Sequence, residues 1–172
     1  DIRFDMEKIK IFTIDIETAV EDGFPDVRRA SEEVLLITIK DSQSKQIATF
    51  GTRSFENNNK QVTYVQCNNE QHMLKEFMIW WQQNYPDVIT GWNTGFFDIP
   101  YLLKRITNEL GETIASKFSP WGIINERKIF VMGKEETSYD VQGISQLDYL
   151  DLYKKFTYQK QESYRLDFIA SE

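Results

Sequence analysis

Residues 9–17 read IKIFTIDIE, an alternation of apolar and polar side chains that predicts a β-strand. Successive side chains of a strand point to opposite faces, so Asp15 and Glu17 share its polar face. Their backbone positions are roughly 7 Å apart along the strand. Mg²⁺ is typically held by one or two carboxylates together with phosphate oxygens of a substrate, which makes this pair a candidate metal site. An exposed strand end with two solvated acids is the alternative at this point.

The composition predicts one folded domain without a membrane segment. Of the 172 residues, 41% are hydrophobic and 14% aromatic, which suits a globular core. No apolar stretch approaches the ~20 residues that span a bilayer, and no signal peptide is visible. Cys67 is the single cysteine, which excludes an internal disulfide and a Cys/His zinc cluster. The net charge of −7 and the start at Asp1 favour a module cut from a larger protein over a self-sufficient nucleic-acid binder.

Hydrophobic periodicity predicts an α/β fold in which antiparallel and parallel strand pairs are mixed. Strands are expected at residues 9–17, 34–39, 46–50, 62–66 and 87–92. Helices are expected after a cap at residues 68–71, ending near Asn84, and over residues 99–110, ending before Gly111. Residues 126–141 predict a hairpin with its turn around Gly133 and Lys134, whereas residues 144–156 mix strand and helix signals.

A second acidic position lies between a predicted strand and a predicted helix. Residues 92–98 read WNTGFFD, which places Asp98 at the N-terminus of the helix, where the helix dipole favours its ionised form. An ordinary N-cap aspartate is the alternative. Asn93 is equally compatible with a turn, and Gly95 with a left-handed backbone.

Taken together, these motifs resemble a known enzyme family. Asp15-Ile16-Glu17-Thr18 and Asn93-x-x-x-Phe97-Asp98 resemble the first two motifs of the DnaQ-like (DEDD) 3′–5′ exonucleases. Gly91-Trp92-Asn93, before the second motif, is typical of family B DNA polymerases. Similarity to the replicative polymerases of T-even-type bacteriophages extends to residues 97–101, 147–156 and 163–167. The resemblance therefore predicts a single proofreading exonuclease domain over residues 1–172.

The resemblance implies a fold and a chemistry. The fold is a ribonuclease H-like mixed β-sheet flanked by α-helices, with a protruding β-hairpin. Asp15, Glu17 and Asp98 are implied as catalytic metal ligands for two Mg²⁺ or Mn²⁺ ions. The implied reaction is hydrolysis of the 3′-terminal phosphodiester of single-stranded DNA, with release of a deoxynucleoside monophosphate.

The resemblance also implies residues that contact DNA. Phe24 lies in a loop, residues 22–25, whose Phe stacks on terminal bases in this family; a Phe tucked into the core is the alternative. Asn93 and Phe97 are expected near the scissile end, and the hairpin lies where the phage polymerases carry one that helps to separate primer from template. Basic pairs along the chain are interpreted as solvated surface, including Lys104-Arg105, except Arg127-Lys128, which we expect to contact DNA.

A fourth carboxylate, expected in a Tyr-x-x-x-Asp or His-x-x-x-x-Asp motif, is absent. The single His72 precedes the second motif, and no Tyr-x-x-x-Asp follows Asp98. The resemblance therefore predicts a chain truncated before its third motif and impaired in catalysis. Asp148 and Asp151 are expected to hold structural hydrogen bonds instead.

Two other functions remain open at this stage: an RNA exonuclease of the same fold, and a catalytically incomplete module that positions the primer strand. The implied partners are a single-stranded DNA 3′ end or primer–template DNA, the rest of a polymerase chain and, through the parent enzyme, a sliding clamp. The implied location is the cytoplasm of a bacterial host, without a membrane partner.

Overall fold

The computed structural model describes residues 3, 5–20, 23–131, 134–158 and 161–171. Within them, a six-stranded mixed sheet has the order β4-β3-β2-β1-β5-β8, and a separate hairpin pairs β6 with β7. The strands are β1 (Ile11–Thr18), β2 (Val34–Asp41), β3 (Ile47–Gly51), β4 (Val62–Gln66), β5 (Val88–Gly91), β6 (Ile124–Val131), β7 (Lys134–Val141) and β8 (Ser145–Asp148). The helices are α1 (Glu70–Asn84), α2 (Asp98–Leu110), α3 (Glu112–Ala115), α4 (Tyr149–Phe156) and α5 (Leu166–Ser171).

Strand β1 lies inside the sheet and carries the predicted alternation. Its apolar side chains Phe12, Ile14 and Ile16 are buried, whereas the side chains between them face solvent. The strand runs antiparallel to β2 and parallel to β5. A strand with one apolar and one polar face has a well-defined register, because a slip of one residue would move its apolar side chains to the solvent-exposed face.

Helix α1 begins as its sequence predicts and supplies much of the core. The Asn69 side chain accepts a hydrogen bond from the backbone N–H of His72, which caps the helix. Phe77 and Trp81 are fully buried, and Trp81 stacks on Phe118 with ring centroids 4.4 Å apart. The Trp81 indole N–H donates to the Phe118 carbonyl at 2.8 Å, so the polar atom of this buried ring is satisfied.

The predicted fold class is confirmed: a ribonuclease H-like mixed sheet flanked by helices, with an antiparallel hairpin beside it. The hairpin begins at Ile124, two residues before its predicted start, and Gly133 of its predicted turn lies outside the described residues. The ambiguous segment 144–156 is a strand followed directly by a helix, which explains its mixed signals. None of the described helices is long and apolar enough to cross a membrane.

Candidate active site

The two acidic motifs meet where β1 passes the N-terminus of α2. Asp98 is the first residue of α2, and its Oδ1 accepts a hydrogen bond from the backbone N–H of Ile16 at 3.0 Å. Ile16 lies between Asp15 and Glu17 on β1, whose side chains are on the exposed face of the strand. The long-range bond therefore attaches the second motif to the centre of the first.

Burial controls the charge of Asp98. The side chain is 3% exposed, and the loss of hydration raises its pKa to about 7. The hydrogen bond from Ile16 opposes this rise, whereas the negative charges of Asp15 and Asp148 add to it. Burial also raises the pKa of Asp15. A cation near these two carboxylates would favour their ionised forms, because it compensates both the lost hydration and their mutual repulsion.

The donor chemistry of Asp15 and Asp98 fits a hard divalent cation. Carboxylate oxygens are the ligands that Mg²⁺ and Mn²⁺ prefer, and Mg²⁺ commonly needs one or two of them beside substrate phosphates. Across the described ranges, no group of three or more His, Cys, Asp or Glu side chains is arranged to hold a metal ion. The assignment of Asp15, Glu17 and Asp98 together as ligands therefore stays a prediction.

Asp148 shapes the turn that carries the second motif. Its carboxylate accepts hydrogen bonds from the backbone N–H groups of Asn93 at 3.0 Å, Gly95 at 2.9 Å and Leu150 at 2.9 Å. Asn93 has a φ of 61°, the left-handed conformation that Asn tolerates better than most residues. The structural role predicted for Asp148 is confirmed. The left-handed position of the turn is Asn93 and not Gly95, for which the sequence had suggested it.

Close approach of β5 to β1 brings this turn to the site. A Cβ atom added to Gly91 would lie 2.6 Å from the carbonyl oxygen of Ile14, the residue before Asp15. Only glycine allows this backbone contact. Packing of β5 against β1 therefore explains why a glycine stands before Trp92 and Asn93.

A cleft of about 830 Å³ is lined by three of the predicted DNA contacts, Phe24, Asn93 and Phe97. Asp15, Glu17 and Asp98 are not among its lining residues, and its link to them is Phe97, the residue before Asp98. Phe24 is 76% exposed, and its ring lies on Phe97 with centroids 4.9 Å apart. The alternative prediction, that the Phe24 side chain is buried in the core, is therefore wrong. Arg28 and Lys154 also line this cleft; sequence reasoning did not name Arg28 and interpreted Lys154, with Lys155, as solvated surface.

The hairpin residues Arg127 and Lys128 are in ion pairs across its two strands. Arg127 Nη2 lies 2.8 Å from Asp140 Oδ2, and Lys128 Nζ lies 3.0 Å from Glu135 Oε1. Arg127 lines a second cleft, of about 570 Å³, which also contains Asp148 and Asp151. The contact of Arg127 and Lys128 with DNA stays a prediction. A DNA phosphate would compete with Asp140 and Glu135 for these two side chains.

Arg105 corrects the interpretation of Lys104-Arg105 as solvated surface. Its side chain is buried, and its Nε and Nη2 donate to the two carboxylate oxygens of Glu70 at 2.7 and 2.6 Å. Glu70 lies 35 positions earlier in the chain, so local charge patterning contained no signal of this pair.

Comparisons with known proteins agree on one family. The family model described as "DNA polymerase family B, exonuclease domain" matches residues 3–169. The DNA-directed DNA polymerases of Escherichia phage RB69 and Enterobacteria phage T4 are 33% and 31% identical, over 99% of this chain. A DNA polymerase of Thermococcus aggregans is 30% identical over 63% of the chain. The chain spans 22% of each phage relative and 5% of the archaeal one.

Proposed function

The chain belongs to the exonuclease domains of family B DNA polymerases, and we propose that it is the 3′–5′ proofreading exonuclease domain of such an enzyme. One observation carries the proposal. The buried Asp98 and the strand acid Asp15 lie at the junction of β1 and α2, and Phe97, the residue before Asp98, lines a cleft in which it contacts the exposed ring of Phe24. This combination supports cleavage of a phosphodiester in a strand whose bases stack on that ring.

Each site residue has a role in the proposed reaction. Asp15, Glu17 and Asp98 would hold two Mg²⁺ or Mn²⁺ ions, which supply Lewis acidity for hydrolysis of the terminal phosphodiester. Phe24 would stack on the terminal bases, and such stacking tolerates any sequence, as proofreading requires. Asn93 and Phe97, which line the same cleft, would contact the DNA strand near its 3′ end. The product is a deoxynucleoside monophosphate.

The 172 residues contain no Tyr-x-x-x-Asp after Asp98, and we propose that the remaining ligand and a water-orienting Tyr belong to another part of the parent chain. This domain by itself would then cleave slowly. Polymerase activity, a sliding-clamp partner and action in the cytoplasm of a bacterial host are proposals for that parent protein. The second candidate, a module that positions the primer strand without cleaving it, is favoured by the same missing motif.

The direct test is digestion of a 3′-labelled single strand in Mn²⁺ by this chain and by its full-length parent. We expect the parent to release mononucleotides from DNA much faster than this chain does, and Asp15→Ala to abolish the release. Glu56→Ala, in an exposed loop, removes a carboxylate elsewhere and should leave the rate unchanged. A parent that binds DNA without cleaving it would support the positioning module, and preference for an RNA strand would support an RNA exonuclease.

A further inference from the structure

One face of α2 holds the loop that carries Phe24. Four consecutive backbone carbonyls, those of residues 29–32, accept hydrogen bonds from Tyr101, Arg105 and Asn108. Tyr101 Oη donates to the carbonyl of residue 32 at 2.7 Å, and Asn108 Nδ2 to that of residue 29 at 3.0 Å. Arg105 Nη1 donates to the carbonyls of residues 30 and 31 at 3.1 and 3.0 Å. Donors spaced four and three positions apart share one face of a helix.

We call residues 23–33 the strap. The strap needs these donors because its backbone belongs to no strand. Ala30 is fully buried and has a φ of 44°, a conformation that removes it from any regular ladder. The hydroxyl of Tyr101 stays a donor at all ordinary pH values, since burial raises its pKa to about 12. Helix α2 therefore replaces the hydrogen bonds that a sheet would otherwise supply.

Arg105 is itself held in place from a second helix. Its paired bonds to Glu70 attach it to α1, and Glu70 Oε1 also accepts from the backbone N–H of Val34 at 2.8 Å, just after the strap. A planar guanidinium with two carboxylate bonds is restricted in orientation as well as position. The strap is thus attached to a rigid pair of helices at its C-terminal end.

The other end of the strap lies over the N-terminus of the same helix. Phe24 contacts Phe97, which immediately precedes Asp98 at the start of α2. Helix α2 therefore carries the buried carboxylate and the three donors that hold residues 29–32, and its N-cap residue Phe97 carries the ring that Phe24 contacts.

We propose that Tyr101, Arg105 and Asn108 are positioning residues that set the Phe24 ring relative to Asp98, and so control how a terminal nucleotide is presented for cleavage. The inference rests on the proposed function, since it concerns the delivery of that substrate. None of the three residues lines the cleft of Phe24, Asn93 and Phe97. They would act by positioning the strap and not by contacting the DNA strand.

The test compares two substrates in the full-length parent protein with Mn²⁺. One is a single-stranded oligonucleotide, and the other is the p-nitrophenyl ester of an abasic deoxyribose 5′-phosphate, which has no base to stack on the ring. We expect Tyr101→Phe and Asn108→Ala each to raise the KM for the oligonucleotide about 3- to 10-fold, against less than about 2-fold for the ester, from the share of one stacked base that a displaced ring would lose. Thr107→Val removes a hydroxyl from another face of α2, where that hydroxyl donates to the Leu103 carbonyl. This control should leave the KM for both substrates unchanged.

A second arm shows whether the effect passes through Phe24. In a Phe24→Ala background, Tyr101→Phe should add no further increase in KM, because the ring that it positions is gone. Equal losses on both substrates, or increases that add in the double variant, would overturn the inference in favour of a general effect on folding.

Failure of the proposed function is recognised separately. If the unaltered protein hydrolyses neither substrate, the nuclease assignment fails. The inference is then decided by binding of an oligonucleotide with 3′-terminal 2-aminopurine in EDTA. Tyr101→Phe and Phe24→Ala should weaken that binding and change the 2-aminopurine fluorescence in the same direction; an effect of Phe24→Ala alone would overturn the inference.

Discussion

Asp98 is buried at the centre of the candidate site, and its protonation links stability to pH. Its pKa rises from the ordinary value of 3.8 to about 7 on folding. Below pH 3.8 the carboxyl is protonated in both the folded and the unfolded state, so its burial does not make the free energy of unfolding depend on pH. Between these two pKa values the unfolded chain loses the proton and the folded chain keeps it, so the free energy of unfolding falls by about 1.4 kcal/mol per pH unit. Above pH 7 the accumulated loss, about 4 kcal/mol, stays constant.

Asp98→Asn should remove this slope. The amide oxygen can still accept from the Ile16 N–H, and the side chain no longer ionises. In urea denaturation with EDTA, we expect the free energy of unfolding of the variant, relative to that of the unaltered chain, to increase by about 2–4 kcal/mol as the pH rises from 4 to 8. Asp167→Asn, on the exposed face of α5, is the matched control. Parallel pH curves for the unaltered chain and Asp98→Asn would contradict the burial argument.

Phe24 should contribute to binding of a single strand through its ring alone. Phe24→Ala is expected to weaken binding of a short DNA strand by about 1–3 kcal/mol, whereas Phe24→Tyr keeps the stacking surface and most of the affinity. Fluorescence anisotropy in EDTA measures both. Phe156→Ala removes an equally exposed ring that lies outside the cleft and serves as the control. A similar loss for both alanine variants would mean that the effect is not stacking at the site.

At the scale of elements, the contact of β5 with β1 depends on Gly91. Gly91→Ala would force a methyl group to within 2.6 Å of the Ile14 carbonyl, so the strands must separate next to Asp15. We expect a destabilisation of about 1–3 kcal/mol in urea denaturation, the usual cost of overpacking. Gly95→Ala adds the same group in the following turn, where it meets Asp148 Oδ2 at an ordinary 3.4 Å, and should cost less than half as much. Equal costs would show that the close approach is unimportant.

The hairpin offers a second test at this scale. The ion pair of Arg127 with Asp140 lies on the surface, so Arg127→Ala should lower stability by less than about 1 kcal/mol. If Arg127 contacts a phosphate, the same change should reduce the slope of log Kd against log salt concentration by about 1. Arg165→Ala, whose side chain is 80% exposed on another part of the chain, should leave the slope unchanged. An unaltered slope for Arg127→Ala would assign this residue a purely structural role.

For the whole molecule, metal binding should appear as stability. A cation that binds the folded chain at a hundredfold excess over its Kd adds about 2.7 kcal/mol to the free energy of unfolding. We expect Mn²⁺ to raise the Tm of the unaltered chain and to have a much smaller effect on Asp15→Asn. Because the net charge is −7, non-specific attraction of cations must be separated from binding at the site. Glu56→Gln removes the same charge from an exposed loop and should keep the full Mn²⁺ response; loss of the response in both variants would indicate a diffuse effect of charge.

The architecture separates what local chemistry specifies from what needs distant partners. The alternation at residues 9–17 defines β1 with its polar face, and the Asn69 cap defines the start of α1, because period and capping act over a few residues. The alternation also marked Asp15 and Glu17 as a candidate metal site, whereas the roles of Asp98 and Phe24 were predicted by resemblance to a family, which carries information that spacing alone lacks. Their exposure and partners were not contained in either.

Only the tertiary structure decided the relations between distant residues. It joined Asp98 to the Ile16 N–H across 82 positions, and Arg105 to Glu70 across 35, where charge patterning had predicted solvated surface. It also aligned the strap along α2. Such contacts depend on how helices and strands pack, and a hydrogen bond between distant residues leaves no periodic trace in the chain. The sequence by itself determined the elements and the chemical groups of this protein; packing determined which carboxylate is buried, which arginine is paired and which ring faces the cleft.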